Sequence, residues 1–311
     1  MSRIAIVRFV FIVLSLALAG GCADDLRNRN IFDSGAGDVM MSFSVENISM
    51  TRADGDRDIE NVIDHAYLLF YDKDVLSERA VPLAAVRAEI SEKNPNSLSF
   101  KMPLRLEPDT DYKLVAIANA DNYVPEGYSG FSDYLQAWGS NTSEPKEDLL
   151  FHYAGRILAC DVENLPMRGK VKNDALFRFS MQNGVYSVST SLSFRRAVAR
   201  IDVANTIKEG FRVEGVALCN WRDAASSLSE EGELGNCFGR VCGILTDSDE
   251  DSSDDIFVDM PTADNDGIQK LKEAIYCFPS LTYESYPSDN ESTALIIKAK
   301  YKDDTDPSYY R

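Results

Sequence analysis

The stretch "NVIDHAYLLFYD", Asn61 to Asp72, carries aromatic or aliphatic residues at almost every position from Ile63 onward. A strand with one wet face alternates apolar with polar residues. A short run without that alternation belongs to a strand covered on both faces. Asn61–Asp72 therefore predicts a buried central strand, and the segments on either side should supply its neighbours.

Upstream, Met41, Phe43 and Val45 alternate with Ser42, Ser44 and Glu46, the period-2 signature of a first strand with one buried face. "MTRADGDRD", Met50 to Asp58, has the composition of a turn. Downstream, Leu98, Phe100, Met102, Leu104 and Leu106 alternate without a miss, and Pro103 on the opposite face suits an edge or a bulge. "DYKLVAIANA", Asp111 to Ala120, is a third clear strand, and "GFSDYLQAW", Gly130 to Trp138, reads as a short helix. From Val185 to Asn205 the strand pattern continues, with Val188, Thr190, Leu192 and Phe194 on one face. "FRVEGVALCNW" from Phe211 and "STALIIKAKY" from Ser292 add more strands, separated by loops rich in Asp, Ser and Gly. Many short strands with few helices predict a mainly β, sandwich-like architecture rather than a βαβ one.

Composition agrees: 311 residues, 44% hydrophobic and 26% charged, can bury a sizeable core and leave room for two domains. The formal net charge of -18 repels phosphate backbones and anionic headgroups, which argues against a nucleic-acid partner.

Catalytic signatures are missing from the sequence. His65 and His152 are the two histidines, and no H-E-x-x-H, G-x-S-x-G or Walker loop occurs. Both histidines read as packed or edge residues. "DSDEDSSDD", Asp247 to Asp255, starts like a calcium loop, but Ser252 replaces the turn glycine and Val258 stands where a bidentate Glu should close the site, so a solvated acidic loop is the better reading. "TADNDG", Thr262 to Gly267, reads as a turn. Neither a metal nor a cofactor is expected. Apart from Cys22, the cysteines are Cys160, Cys219, Cys237, Cys242 and Cys277; an odd number cannot all pair within one chain, and the spacings match no zinc ribbon or redox motif. Trp138 and Trp221 are the candidates for a sugar-stacking platform, with core packing as the alternative.

At the N-terminus, Arg3 and Arg8 precede an apolar run, Phe9 to Leu18, too short to span a bilayer, and the segment 1–21 reads as a signal peptide. Ala19-Gly20-Gly21-Cys22 resembles the lipobox of bacterial lipoproteins, with Ala19 where Leu is preferred. That resemblance implies lipidation of Cys22, an anchor held by several acyl chains and no spanning helix. Ala23-Asp24-Asp25 resembles the acidic export signal of surface lipoproteins in Bacteroidetes. Residues 22–38, polar with Gly and Asn, read as a flexible tether, with the folded part beginning near Val39.

Several segments together resemble the fimbrillin superfamily, the pilin and pilus-anchor lipoproteins of Bacteroidia. "IENVIDHAYLLFYD" is similar to its first long strand, "DYKLVAIANA" to its strand ending in Ala-Asn, and "ENLPMRGKV" to its Pro-Met-Gly segment. "SLSFRRAVARIDVAN" is similar to its Arg-x-x-Ala-Arg strand, and "TALIIKAKY…YYR" to a strand pair of the second domain. The resemblance implies two transthyretin-like β-sandwich domains, 39–207 and 208–311, with the boundary near Lys208 and the second domain incomplete as given. It also implies that an arginine-specific protease removes the first strand from pilins, and that a neighbouring subunit then fills the groove with a strand of its own.

On that view Met41, Phe43 and Val45 are the plugs of the first strand, and Arg52 and Arg57 are the candidate cleavage residues. Arg52 ranks first because a cut after it removes the whole strand. The expected partners are other fimbrial subunits, the outer membrane through lipid on Cys22, and a host or bacterial surface ligand. The expected role is a cell-surface fimbrial subunit or anchor supporting adhesion, without catalysis; the alternative is a glycan-binding surface lipoprotein.

Overall fold

The structure is a computed structural model that describes residues 30–32, 35–46, 61–76, 80–140, 149–152, 157–158, 164–207, 210–219, 221–222, 224–226, 241–242, 257–278, 293–302 and 304–310. In chain order the strands are β1 (Asp38–Glu46), β2 (His65–Asp72), β3 (Ala84–Ser91), β4 (Asn94–Lys101) and β5 (Tyr112–Ala118), followed by the helix α1 (Phe131–Ser140). Next come β6 (Leu150–His152), β7 (Ile157–Leu158), β8 (Met167–Val171), β9 (Phe179–Gln182), β10 (Val185–Val188), β11 (Ser191–Arg196) and β12 (Ala199–Thr206). The rest are β13 (Phe211–Cys219), β14 (Trp221–Arg222), β15 (Ala224–Ser226), β16 (Val241–Cys242), β17 (Val258–Asp259), β18 (Ile268–Cys277), β19 (Ala294–Tyr301) and β20 (Ser308–Tyr310).

β2 is buried along both faces because two cores meet on it. Ala66, Leu68 and Phe70 point into the interior of a closed sheet ordered β1-β11-β8-β5-β2-β3-β4, where they join Leu98, Phe100, Leu114, Ala116, Leu192 and Phe194. Tyr67, Leu69 and Tyr71 point outward, into a second apolar layer with Val115, Ile117, Phe131, Leu135, Trp138 and Phe151. The helix supplies that layer from one stripe: Phe131, Leu135, Trp138 and Gly139 are its buried residues, spaced by four, three and one. Its first turn is capped from outside, since the Phe131 N–H donates to Asp121 Oδ1 at 3.1 Å.

Seven more strands form two facing sheets. β12-β18-β7 and β17-β13-β19-β20 enclose a core of Val213, Val216, Leu271, Ile275 and Ala299, with Ile201 and Val203 against it. Gln269, fully buried, joins the sheets: its Nε2 donates to the Val213 and Pro261 carbonyls, and its Oε1 accepts from the Val213 N–H and from Asn205 Nδ2.

Three expectations change. The strand expected through Ser191–Asn205 is two strands: β11 closes the first sheet, whereas β12 pairs with β18 in the other, and the buried Ala197 and Val198 carry the chain between them. β6 and β7, which precede β12 in the chain, also pair with later strands, β15 and β18. The expected tether is already in the fold at Ile31, which is fully buried, donates its N–H to Gln136 Oε1 and gives its carbonyl to the Ala85 N–H. Finally, the alternation after Leu98 stops at Met102. Pro103 is buried, Leu104 is 63% exposed, and the Met102 N–H, one step on from the Asp38–Lys101 pair, still donates to the Gly37 carbonyl.

Candidate functional site

β1 closes the first sheet by two half-ladders. Asp38–Ser42 pair antiparallel with β4, and Ser42–Glu46 pair parallel with β11, so Ser42 is the residue at which the strand changes partner. Alternate side chains enter the core: Val39 and Met41 are buried, and Phe43 and Val45 are half-buried against the same cluster. Val39, one step ahead of the row predicted from Met41, is buried in the same core. At ~1.5 to 3 kcal/mol for each fully buried side chain and about half that for Phe43 and Val45, the row amounts to roughly 5 to 9 kcal/mol of apolar burial.

The core beneath these side chains explains two of the motifs. Phe43 meets Phe194 edge to face at 5.7 Å, and Phe194 lies over Gly169 on β8, where a Cβ would come within 2.6 Å of the ring. Gly169 is therefore the glycine of "PMRG" for reasons of space. Asn119, the residue ending "AIAN", is buried at φ 55° and holds the chain that leads into β2. Its Oδ1 accepts from the Asp64 N–H, and its Nδ2 donates to the Val62 and Leu165 carbonyls.

A polar cluster lies where β2 begins. Asp121 accepts from the Tyr67 hydroxyl at 2.7 Å, and its other oxygen lies 3.2 Å from His65 Nε2 and 3.4 Å from an Arg87 nitrogen. The approach of His65 Nε2 to Asp121 is a proximity rather than a hydrogen bond, and among the described residues Nε2 has no hydrogen-bond partner. Burial lowers the His65 pKa, against an opposing pull from Asp121. Burial, together with the bond to Asp121, raises that of the Tyr67 hydroxyl. Asp121, shared between the helix cap, a tyrosine and a guanidinium, acts as a clasp between β2, β3 and α1.

Trp138 is buried in the layer behind β2, which removes it from any sugar-stacking surface. Trp221 pairs through its backbone with Cys242, and its side chain lies outside the described residues, as does that of His152. Cys22, Arg52, Arg57, Cys160, Cys237 and the loop Asp247–Asp255 also lie outside them. "TADNDG" forms a turn organised by Asp264, whose Oδ1 accepts from the Asp266 and Ile268 N–H groups. Cys219 and Cys277 are free and buried. Among the described residues no cluster of His, Cys, Asp or Glu could hold a metal, and no helix is long and apolar enough to cross a membrane.

No family model matches the chain, and no curated protein does. Similar structures include fimbrial and adhesion proteins of Bacteroidia. One is a fimbrial assembly protein from Parabacteroides distasonis, at 12% identity over 88% of this chain and 84% of that one, with a TM-score of 0.41. Another is the tip fimbrial protein Mfa3 from Porphyromonas gingivalis with a C-terminal truncation, at 12% identity over 85% and 77%, TM-score 0.40. A candidate cell-adhesion protein from Bacteroides eggerthii is at 12% identity over 91% and 80%, TM-score 0.48.

Proposed function

We propose that the chain is a lipid-anchored, surface-exposed fimbrial subunit or anchor of the outer membrane, built on two transthyretin-like sandwich domains. Its role is structural rather than catalytic: it assembles with other fimbrial subunits by β-strand exchange and so supports adhesion. The observation that carries this reading is the pairing of β1. The strand is joined to β4 over its first half and to β11 over its second, and it inserts a row of apolar side chains between them. Removing such a strand would uncover both edges together with the pockets of Val39, Met41, Phe43 and Val45, which is what an incoming strand requires: backbone partners for affinity and pockets for register.

Anchoring enters through Cys22 and the lipobox, and strand release through a cut after Arg52 or, failing that, Arg57. The test is the mass of the N-terminal peptide in native cells, compared between membrane fractions and sheared surface filaments. A filament-derived terminus at Ala53 supports a matured subunit joined by strand exchange. A lipidated Cys22 in both fractions would instead support an anchor that retains its first strand. Filaments that form unchanged when Arg52→Ala and Arg57→Ala are combined would rule out cleavage as the trigger.

A further inference from the structure

Among the described residues the hairpin β9–β10 belongs to neither large sheet, and its strands form a ladder only with each other. Its turn, Asn183-Gly184, has φ of 53° and 76°, the left-handed pair that a two-residue hairpin loop requires. Period 2 divides it into two faces. Ser180 and Ser187 share a hydroxyl hydrogen bond on the outer face, while Phe179, Tyr186 and Val188 on the inner one pack on the core beneath β1. Tyr186 stacks against Phe179 at 5.8 Å and covers Gly37, the residue before β1, so closely that a Cβ on Gly37 would lie 2.6 Å from the ring.

This position matters because of what β1 lacks there. Over Asp38–Met41 the strand is bonded to β4 on one flank, and β11 begins only at the level of Ser42. β10 leads through Ser189 and Thr190 into β11, so the hairpin stands on the flank that β11 does not reach, in contact with β1. No backbone ladder joins it to β1. At its base it is fastened elsewhere: the Asp109 N–H donates to the Phe179 carbonyl at 2.8 Å, Arg178 Nε donates to the Asp109 carbonyl at 3.1 Å, and Phe177 and Tyr112 exchange backbone hydrogen bonds. Beside that base lies a cavity of about 210 Å³ lined by Asp109, Arg178, Phe179 and Ser187 among others, which leaves room for a pivot.

We propose that the β9–β10 hairpin is a latch on β1, closed by Tyr186 over Gly37, and that lifting it is the step that frees the leading half of the strand. The inference rests on the strand-exchange reading for its purpose, but its mechanics belong to the isolated chain. The hairpin holds β1 by side-chain packing, so it lifts from the strand without breaking a ladder, whereas β1 cannot leave while the Tyr186 ring closes over its start.

Native-state hydrogen exchange of the full chain tests this. Tyr186→Ala is expected to speed exchange of the β1 amides by roughly tenfold while β2 and β5 keep their protection, and Tyr186→Phe, which retains the ring, to leave them as they were. Gly37→Ala, which pushes the ring off from the other side, should reproduce the effect if Tyr186→Ala folds poorly. Exchange in β1 that is unchanged in both variants, or that rises equally in β2 and β5, overturns the latch. Capture of a labelled peptide of residues 38–46 separates the two ideas: faster exchange without capture sinks strand exchange and leaves the latch, and capture without faster exchange does the reverse.

Discussion

Phe43 on β1 and Phe194 on β11 meet edge to face, with ring planes at 85°, and Phe194 in turn rests on Gly169 across the β11–β8 pair. One glycine thus sets the height of the floor under a plug of the first strand. The closing strand and the "PMRG" segment are in contact through a single aromatic ring.

Gly169→Val should therefore act at a distance from its own strand. The added side chain displaces Phe194 and is expected to cost about 1 to 3 kcal/mol, the usual range for overpacking. Phe43→Ala should cost less in that background than in the native chain, because its ring partner has already moved. Urea denaturation of the two single variants and the double variant checks the cycle; additive losses would mean that Phe43 and Gly169 are independent.

Gln269 predicts a larger loss in the other part of the chain. Replacing it with Leu keeps the volume but orphans the Val213 N–H and carbonyl, Asn205 Nδ2 and the Pro261 carbonyl, all of which it now satisfies. With buried polar groups costing about 1 to 3 kcal/mol each when unpaired, a loss of roughly 2 to 4 kcal/mol is expected after partial repair by water. Exchange protection should fall in β12, β13 and β18 and remain in β2 and β5.

β2 and β1 were legible in the sequence because periodicity reports burial directly: β2 lies between two cores and shows no period, and β1 faces one core and shows period 2. The helix Phe131–Ser140 was legible for the same reason. Periodicity does not report partners. β11 and β12 run on in one apolar pattern, and only their separate pairing, with β8 and with β18, divides them at Ala197 and Val198. Nor does it report where a strand stops: Leu104 continues the alternation in sequence but sits in a turn, two residues past the Met102–Gly37 bond. The Tyr186 contact with Gly37 spans residues far apart in the chain, and no local signal could have disclosed it.

The two buried thiols should be chemically silent in the folded chain. Burial pushes the Cys277 thiol up to about 11, so little thiolate exists at pH 8 even where reagent could reach it. Neither Cys219 nor Cys277 should react with an aromatic disulfide reagent in native buffer, and both should react promptly in urea. Mapping the labelled peptides by mass spectrometry distinguishes these positions from the other cysteines. Fast native labelling of Cys277 would contradict its place in the core between β12, β13 and β18.

His65 gives the fold a pH dependence with a definite sign. Its pKa in the folded chain is lowered from 6.5, chiefly by burial, with Arg87 adding to the effect and Asp121, Glu89 and Asp64 opposing it. The unfolded chain therefore binds this proton more readily, and stability must rise with pH across the interval between the folded value and 6.5. The contribution is fully present above the unfolded value and is lost as pH falls toward the folded one. Urea midpoints should drop between pH 7.5 and pH 5.5, before the carboxylates titrate, and His65→Gln should flatten that drop because no proton remains to be taken up. A native chain that gained stability over the same interval would mean that the ionic partner Asp121 outweighs burial, and would make His65 a charged member of the clasp rather than a neutral one.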